Sequence, residues 1–120
     1  MVARRIVLVV EDEPLLLMMA GSLVEDAGFE ALYARDADEA IRVLEQRADI
    51  IILFTDVNMP GSLDGLALVA LARSRWPSIK TIVVSGLAHA EVPAPRHQSR
   101  YFRKPYDAQH VSDALIELAA

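Results

Sequence analysis

Short runs of consecutive apolar residues alternate along the chain with longer segments of mixed polarity. The runs RIVLVV (5–10), IIILFT (50–55) and KTIVVS (80–85) are rich in β-branched residues, which is typical of strands buried on both faces of a sheet. The segments FEALYA (29–34) and RYFRK (100–104) are more polar, so we predict strands nearer the sheet edges. The pattern therefore predicts five strands.

Helical segments separate these strands. The first begins at Pro14, a residue that is tolerated at the first helical position, and stops at Gly28. The second opens with Asp36 and Glu39, which have the spacing of a capping box. Two further segments have helical spacing, DGLALVALARSRW (64–76) and DAQHVSDALIELAA (107–120), and in the last of these Asp107 is a plausible cap.

Alternating strands and helices predict an α/β fold. Crossovers between parallel strands are right-handed and need a helix, so we expect a doubly wound, five-stranded parallel sheet with helices on both faces. The rhythm breaks at 86–99 (GLAHAEVPAPRHQS), where a helix is due but Pro93 and Pro95 oppose one. We expect this fourth helix to be short or missing.

Composition narrows the function classes. Of the 120 residues 53% are hydrophobic, yet no apolar run reaches the length of about 18 residues that a membrane span needs. A net charge of −5 argues against general nucleic-acid binding, and the absence of cysteine excludes disulfides and thiolate metal sites. We expect a cytoplasmic protein that binds neither membrane nor nucleic acid, with its three histidines on the surface.

Polar or small residues stand where the predicted strands end. Ligands of such sheets bind beyond the carboxyl ends of the strands, and the first, third, fourth and fifth strands should lie side by side. The residues that follow these strands should therefore meet at one rim. They are Glu11, Asp12 and Glu13 after the first strand, Asp56 after the third, Ser85 and Gly86 after the fourth, and Lys104 after the fifth.

This set of residues has the chemistry of a phosphoryl-transfer site. Three carboxylates, those of Glu11, Asp12 and Asp56, would repel one another unless a cation lay among them, and a small all-oxygen site suits Mg²⁺ better than Ca²⁺. Lys104 can pair with a carboxylate or a phosphate, while Ser85 supplies a hydroxyl. The backbone N–H of Gly86 could approach a ligand closely. Asp56, opposite the acidic pair, has the position of the nucleophile.

Each of these signals has an ordinary explanation when it is taken alone. Asp56 could be a turn residue, and acids after the first strand could favour a helix N-terminus. Ser85 and Lys104 are uninformative singly. Their joint placement at four strand ends favours the functional interpretation.

The chain resembles the receiver domain of bacterial two-component response regulators over its whole length. Four motifs carry the resemblance, VLVVEDEP (7–14), DVNMPGSLDG (56–65), VVSG (83–86) and YFRKPY (101–106). It implies a CheY-like, flavodoxin-like sheet of order 2-1-3-4-5. It also implies phosphorylation of an aspartate by a histidine kinase or histidine phosphotransfer protein, followed by a change on the face formed by the fourth helix, fifth strand and last helix.

The resemblance assigns a role to each rim residue. Asp56 would be the phosphoacceptor, and Ser85 and Lys104 would hold the phosphoryl group. Tyr101 would be the rotating aromatic switch. The Mg²⁺ ligands would be Asp12, Asp56 and the backbone carbonyl of Asn58, with Glu11 acting through water.

Two departures from the family pattern stand out. One additional residue lies between Pro60 and Asp64, so we expect a bulge at 61–62, and 86–99 is a few residues short. Because Pro93 and Pro95 interrupt the helix expected there, we predict that phosphorylation does not produce the family's usual dimer through that face, and that change concentrates in 86–99.

The leading hypothesis is a stand-alone phosphorylation-switched module, with 1–120 forming one receiver domain, no output domain, a monomeric or weakly dimeric state and no enzymatic turnover of an external substrate. A receiver segment of a hybrid histidine kinase is an alternative. A Mg²⁺-dependent phosphatase with an aspartyl nucleophile is disfavoured, because Asn58 stands where such enzymes place a second aspartate. A receiver that no longer takes phosphate is disfavoured by the intact set of rim residues.

The first helix is apolar on more than one face. Spacings of three and four predict that its sheet-facing row is Leu16, Met19, Ala20, Leu23, Val24 and Ala27, and that an off-face row is Pro14, Leu17, Met18 and Gly21. The last helix could cover the second row. We instead expect the phosphodonor protein to pack on Leu17 and Met18, with Gly21 permitting close approach of its helix.

Overall fold

Five strands and four helices form within residues 5–59, 61, 63–86 and 98–120, the part of the chain that the computed structural model describes. All five predicted strands are present, each within one residue of its predicted bounds. The elements are β1 Ile6–Val10, α1 Pro14–Asp26, β2 Glu30–Ala34, α2 Ala37–Gln46, β3 Ile50–Asp56, α3 Gly65–Arg75, β4 Lys80–Ser85, β5 Ser99–Arg103 and α4 Ala108–Ala119.

The strands form one parallel sheet in the order β2-β1-β3-β4-β5, as predicted. The more polar strands β2 and β5 are at its edges. Helices α2 and α3 pack on one face and α1 and α4 on the other, and each face has its own core cluster of buried residues. Burial on both sides explains why the central strands are apolar at consecutive positions.

Helix capping follows the predicted signals. The Asp36 carboxylate accepts a hydrogen bond from the Glu39 backbone N–H at 2.8 Å. The Glu39 carboxylate in turn accepts a hydrogen bond from the backbone N–H of Arg35, which is one residue earlier than the donor in a standard capping box. Asp64 and Asp107 also cap their helices with side-chain oxygens. These caps fix the residues at which α2, α3 and α4 begin.

Two glycines have a positive φ. Gly28 ends the first helical segment at φ +98°, and Gly61 adopts φ +107° in the loop after β3, a region that favours glycine. The predicted bulge at 61–62 falls partly on Ser62, which lies outside the described residues, as does 87–97. The expectations of a short or missing helix in 86–99 and of exposed side chains at His89 and His97 therefore stay predictions. His110, in α4, is exposed as predicted.

The predicted rotation of α1 about its axis is partly wrong. Ala20 and Val24 are buried as expected, but Gly21 is buried as well and Met19 is 57% exposed. The cause is a contact with β2, where the Tyr33 ring lies against the Gly21 backbone. A Cβ at position 21 would be only 2.2 Å from the Tyr33 hydroxyl oxygen. Because the glycine side of the helix turns toward Tyr33, Met19 turns toward solvent.

Helix α3 begins in direct contact with the end of β3. The backbone N–H of Gly65 donates to the Val57 carbonyl at 2.8 Å. A Cβ on Gly65 would lie 1.9 Å from the backbone oxygen of Asp56. From the sequence, Asp64 and Gly65 are predicted as a helix start and as the end of the DVNMPGSLDG motif, and neither pattern indicates this close approach. At its other end α3 is followed by Trp76, whose ring lies 4.4 Å below the Arg75 guanidinium.

None of the helices in the described ranges has both the length and the apolarity that crossing a lipid bilayer requires.

We predict that Gly65→Ala destabilises the fold, because the added methyl group overlaps backbone atoms that cannot yield. Overpacking of this kind costs about 3 kcal/mol in the free energy of unfolding, measured by urea denaturation. Gly86→Ala is the matched control, since a Cβ at Gly86 meets no atom within 4 Å. Equal stability of the two variants would contradict the close contact at Gly65.

Candidate functional site

Four adjacent strands bring the predicted residues to one rim of the sheet. Glu11 directly follows β1, Asp56 is the last residue of β3, Ser85 is the last residue of β4, and Lys104 directly follows β5. Because the strands are parallel and β1, β3, β4 and β5 are neighbours, these residues share an edge. The predicted convergence is confirmed.

The three predicted carboxylates form a compact acidic cluster. Glu11, Asp12 and Asp56 each offer one oxygen, and these oxygens lie within 4.8 Å of one another. Glu11 and Asp56 are buried, whereas Asp12 is exposed, so the cluster opens to solvent on the Asp12 side. Carboxylates at this spacing can share a hard divalent cation.

Lys104 bridges the two buried carboxylates. Its Nζ donates to Glu11 Oε1 at 3.0 Å and to Asp56 Oδ2 at 3.2 Å. Burial lowers the pKa of Lys104, but the hydrogen bond to Glu11 and the charge of Asp56 outweigh it and raise the pKa above its ordinary value. The lysine is therefore charged at neutral pH. One ammonium among three carboxylates leaves two net negative charges, which one divalent cation would balance.

The pKa of Asp12 is shifted within this cluster. Partial desolvation raises its pKa above the ordinary value, and both the hydrogen bond with Glu11 and the repulsion from that carboxylate raise it further. The backbone hydrogen bond of Asp12 and the charge of Lys104 act in the opposite direction without cancelling the shift. Asp12 therefore ionises less readily than a free aspartate does.

Backbone amides hold the remaining oxygens of the buried acids. Glu11 Oε2 accepts from the N–H of Glu13 at 3.1 Å, so both of its oxygens have donors. Asp56 Oδ1 accepts from the N–H of Asn58 at 3.4 Å, a long and weak hydrogen bond. Of the two Asp56 oxygens, Oδ1 is thus the more weakly held.

The other predicted site residues surround this cluster. Ser85 is buried, and its carbonyl accepts from the backbone N–H of Lys104 at 2.8 Å. Gly86 is exposed, and a Cβ at this position would have no atom of the described residues within 4 Å. Tyr101 is half-buried against the α2–α3 core cluster. Asn58 is exposed beside Asp56.

A groove of about 980 Å³ extends from the rim between α1 and α4. Asp56 and Lys104 line it at the rim, Leu16 and Met19 line it on α1, and Tyr106 lines it after β5. Sequence analysis missed this groove because its walls come from opposite ends of the chain. The apolar excess of the first helix was the available signal.

The predicted docking row on α1 needs correction. Met18 is 66% exposed as expected, but Leu17 is half-buried against the core and Gly21 is buried beneath Tyr33. The exposed apolar residues of this helix are instead Leu15, Met18 and Met19. The error has the same origin as the rotation of α1 toward β2.

Comparison with known proteins places this arrangement in a family. The family model described as "Response regulator receiver domain" matches residues 7–116. The nitrogen assimilation regulatory protein NtrX of Azorhizobium caulinodans is 31% identical over 109 residues, which are 88% of this chain and 24% of that protein. The response regulator FleR of Pseudomonas aeruginosa is 32% identical over 117 residues, 95% of this chain and 24% of its own length.

Solved structures have the same fold. The CheY-like receiver domain from Methylobacillus flagellatus superposes with a TM-score of 0.83 at 26% identity, covering 97% of this chain and 99% of that one. The chain spans about a quarter of the length of these two curated relatives. With the receiver-domain match over nearly the whole chain and the acidic rim in place, the chain belongs to the response regulator receiver domains of two-component signalling.

Proposed function

We propose that this chain is a phosphorylation-switched signalling module that accepts a phosphoryl group on Asp56 in a Mg²⁺-dependent reaction. The observation that carries the proposal is the buried Asp56 carboxylate, hydrogen-bonded to Lys104 and clustered with Glu11 and Asp12. Membership of the receiver family supports the same conclusion.

The donor set fits a magnesium ion. Asp12, Asp56 and the backbone carbonyl of Asn58 would hold it directly, and the open side at Asp12 leaves room for the waters that Mg²⁺ retains. Glu11 would act through water, because Lys104 and the Glu13 N–H already occupy both of its oxygens. When bound, the cation supplies charge neutralisation for the transferring phosphoryl group.

The protein groups can then perform an in-line transfer. Asp56 Oδ1, the more weakly held oxygen, attacks phosphorus, an O–P bond forms and the P–N bond of a donor phosphohistidine breaks. The released imidazole takes a proton from solvent. Lys104 exchanges its bond to Asp56 for one to a phosphoryl oxygen, and Ser85 and the Gly86 N–H contact the others. Tyr101 turns in response to the movement of Ser85.

The protein is a phosphoacceptor and does not turn over external phosphate esters. Asn58 stands two residues after the nucleophile, and an amide cannot serve there as a general acid or base. Receiver domains in general interact with histidine kinases or histidine phosphotransfer proteins, and we propose one of these as the donor.

We propose that the donor's histidine-bearing helix docks over the groove between α1 and α4. The groove opens at Asp56, where the phosphohistidine must arrive, and two exposed residues of α1, Met18 and Met19, line it. Their flexible side chains adapt well to a partner surface, and Leu15 is exposed nearby on the same helix. Leu17 and Gly21 do not belong to this surface.

The metal proposal predicts opposite effects of Asp12→Asn with and without Mg²⁺. Without Mg²⁺ the variant should melt higher than the parent at neutral pH, since a carboxylate with a raised pKa is removed. A raised pKa means that Asp12 contributes to stability below its ordinary pKa and loses that contribution as the pH rises through the folded value. The difference between variant and parent should therefore vanish in acid.

Millimolar Mg²⁺ should raise the melting temperature of the parent by mass action and leave that of Asp12→Asn unchanged. Differential scanning calorimetry across pH, with and without Mg²⁺, measures both effects. An unchanged melting temperature of the parent on addition of Mg²⁺ would refute the metal site.

The phosphorylation proposal predicts labelling of one residue. Incubation with acetyl phosphate and Mg²⁺ should add the mass of a single phosphoryl group, stable in acid and labile in base, and peptide mass spectrometry should map it to Asp56. Asp56→Asn should stay unlabelled. Label that persists in this variant would exclude Asp56, and steady hydrolysis of a generic phosphate ester would favour a phosphatase instead.

The docking proposal predicts that small-molecule and protein phosphodonors respond differently to surface changes. Changing Met18 and Met19 together to glutamate should slow phosphotransfer from the kinase or phosphotransfer partner about tenfold, as expected for losing contact residues worth about 1–2 kcal/mol. Labelling by acetyl phosphate should not change. Ile116→Glu is the matched control, an exposed apolar residue of α4 that does not line the groove. Equal slowing by the control would refute this surface.

A further inference from the structure

A buried polar cluster joins α3 to β4 and β5 at the end of the sheet opposite the acidic rim. Thr81 of β4 and Ser99 of β5 are register partners, and their hydroxyl oxygens are 2.7 Å apart. Both side chains are essentially inaccessible to solvent. The guanidinium of Arg73, near the end of α3, donates to Ser99 Oγ. We call this cluster the Arg73–Ser99–Thr81 latch.

The latch is costly to place and specific in geometry. Hydroxyl groups buried against an apolar cluster need hydrogen-bond partners, and two apolar residues would fill the same space without that need. Arg73 can only donate, so Ser99 Oγ accepts a charge-assisted hydrogen bond, which is stronger than one between neutral groups. The Arg73 side chain, itself exposed, therefore ties α3 to β5 through the buried Ser99 hydroxyl, and the Ser99–Thr81 hydrogen bond extends the connection to β4.

Helix α3 is fixed at its other end to the phosphoacceptor. Gly65 lies against the Asp56 backbone, and its N–H bonds to Val57. A helix of 11 residues spans about 16 Å, enough to cross the sheet from rim to latch. Contacts therefore connect Asp56 through α3 to the latch. From the latch, β4 and β5 lead back to Ser85 and Lys104 at the rim.

Phosphorylation of Asp56 would change the contacts at the rim end of these elements. A phosphoryl group on Asp56 gives Lys104 a new partner, and the Lys104 backbone is hydrogen-bonded to Ser85. This change of partner would pull the rim ends of β4 and β5 to a new position relative to β3. Since α3 is held at Asp56, such a shift would strain the bond from Arg73 to Ser99.

We propose that Arg73 is a positioning residue for the phosphoryl site, acting through Ser99 and Thr81 to hold β4 and β5 in the resting arrangement and to oppose the phosphoryl-bound one. This inference rests on the proposed phosphorylation of Asp56. Tyr101, two residues beyond Ser99 on the same face of β5, is the side chain through which the latch would set the switch.

The test uses the full chain with beryllium fluoride, a phosphoryl analogue, and Mg²⁺. Arg73→Met keeps the aliphatic stem and removes the donors, so the apparent dissociation constant should fall about threefold to tenfold as the competent state becomes more populated. The melting temperature of the ligand-free variant should fall at the same time. A purely structural role would lower the melting temperature without tightening binding.

Arg75→Met is the matched control, since Arg75 lies on the same helix and pairs with Glu45 of α2. It should bind the analogue as the parent does. The double variant Ser99→Ala with Thr81→Val removes the hydroxyls without leaving one of them unpaired, and it should tighten binding as Arg73→Met does.

The outcomes separate the two proposals. If the parent binds beryllium fluoride and Arg73→Met binds it no more tightly than Arg75→Met does, the latch proposal is overturned while phosphorylation of Asp56 stands. If the parent does not bind the analogue at all, the proposed function itself fails.

Discussion

The ammonium group of Lys104, shared between two buried carboxylates, is the interaction on which the rim depends. Glu11 and Asp56 come from different strands, and removing both from water with like charges would be strongly unfavourable without a cation between them. The parallel sheet solves the placement, because it brings β1, β3 and the end of β5 to one edge. The order of the strands in the sheet therefore determines which charges meet at the rim.

The acidic cluster is only partly neutralised by protein groups. Lys104 bonds to two of the acids but not to Asp12, whose pKa is raised by partial desolvation and by the neighbouring Glu11, and the cluster keeps a net negative charge. A site fully neutralised by protein groups would have little affinity for a cation or for a cation-bound phosphoryl group. The incomplete balance of charge would thus give the cluster its affinity for a cation.

Much of the fold and most of the site follow from local sequence patterns. Consecutive β-branched residues identify the buried strands, and the topology rule for parallel sheets then places Glu11, Asp56, Ser85 and Lys104 together without any contact information.

Features set by contacts between distant residues could not be obtained in this way. The rotation of α1 depends on the Tyr33 ring against Gly21, and the latch joins residues 26 positions apart. Helical periodicity gives the spacing of a row but not which strand the row meets, which is why Met19 was placed inward. Gly65 was missed for the same reason, since its requirement comes from the backbone of another element.

Trp76 gives the anchoring of α3 an optical consequence. It is the single tryptophan of the chain, it directly follows α3, and its indole packs beneath the Arg75 guanidinium and against the core. Indole emission depends on nearby charge and on solvent exposure. Displacement of the helix end would therefore alter the intrinsic fluorescence of the protein, so a movement of α3 could be followed in solution without an attached label.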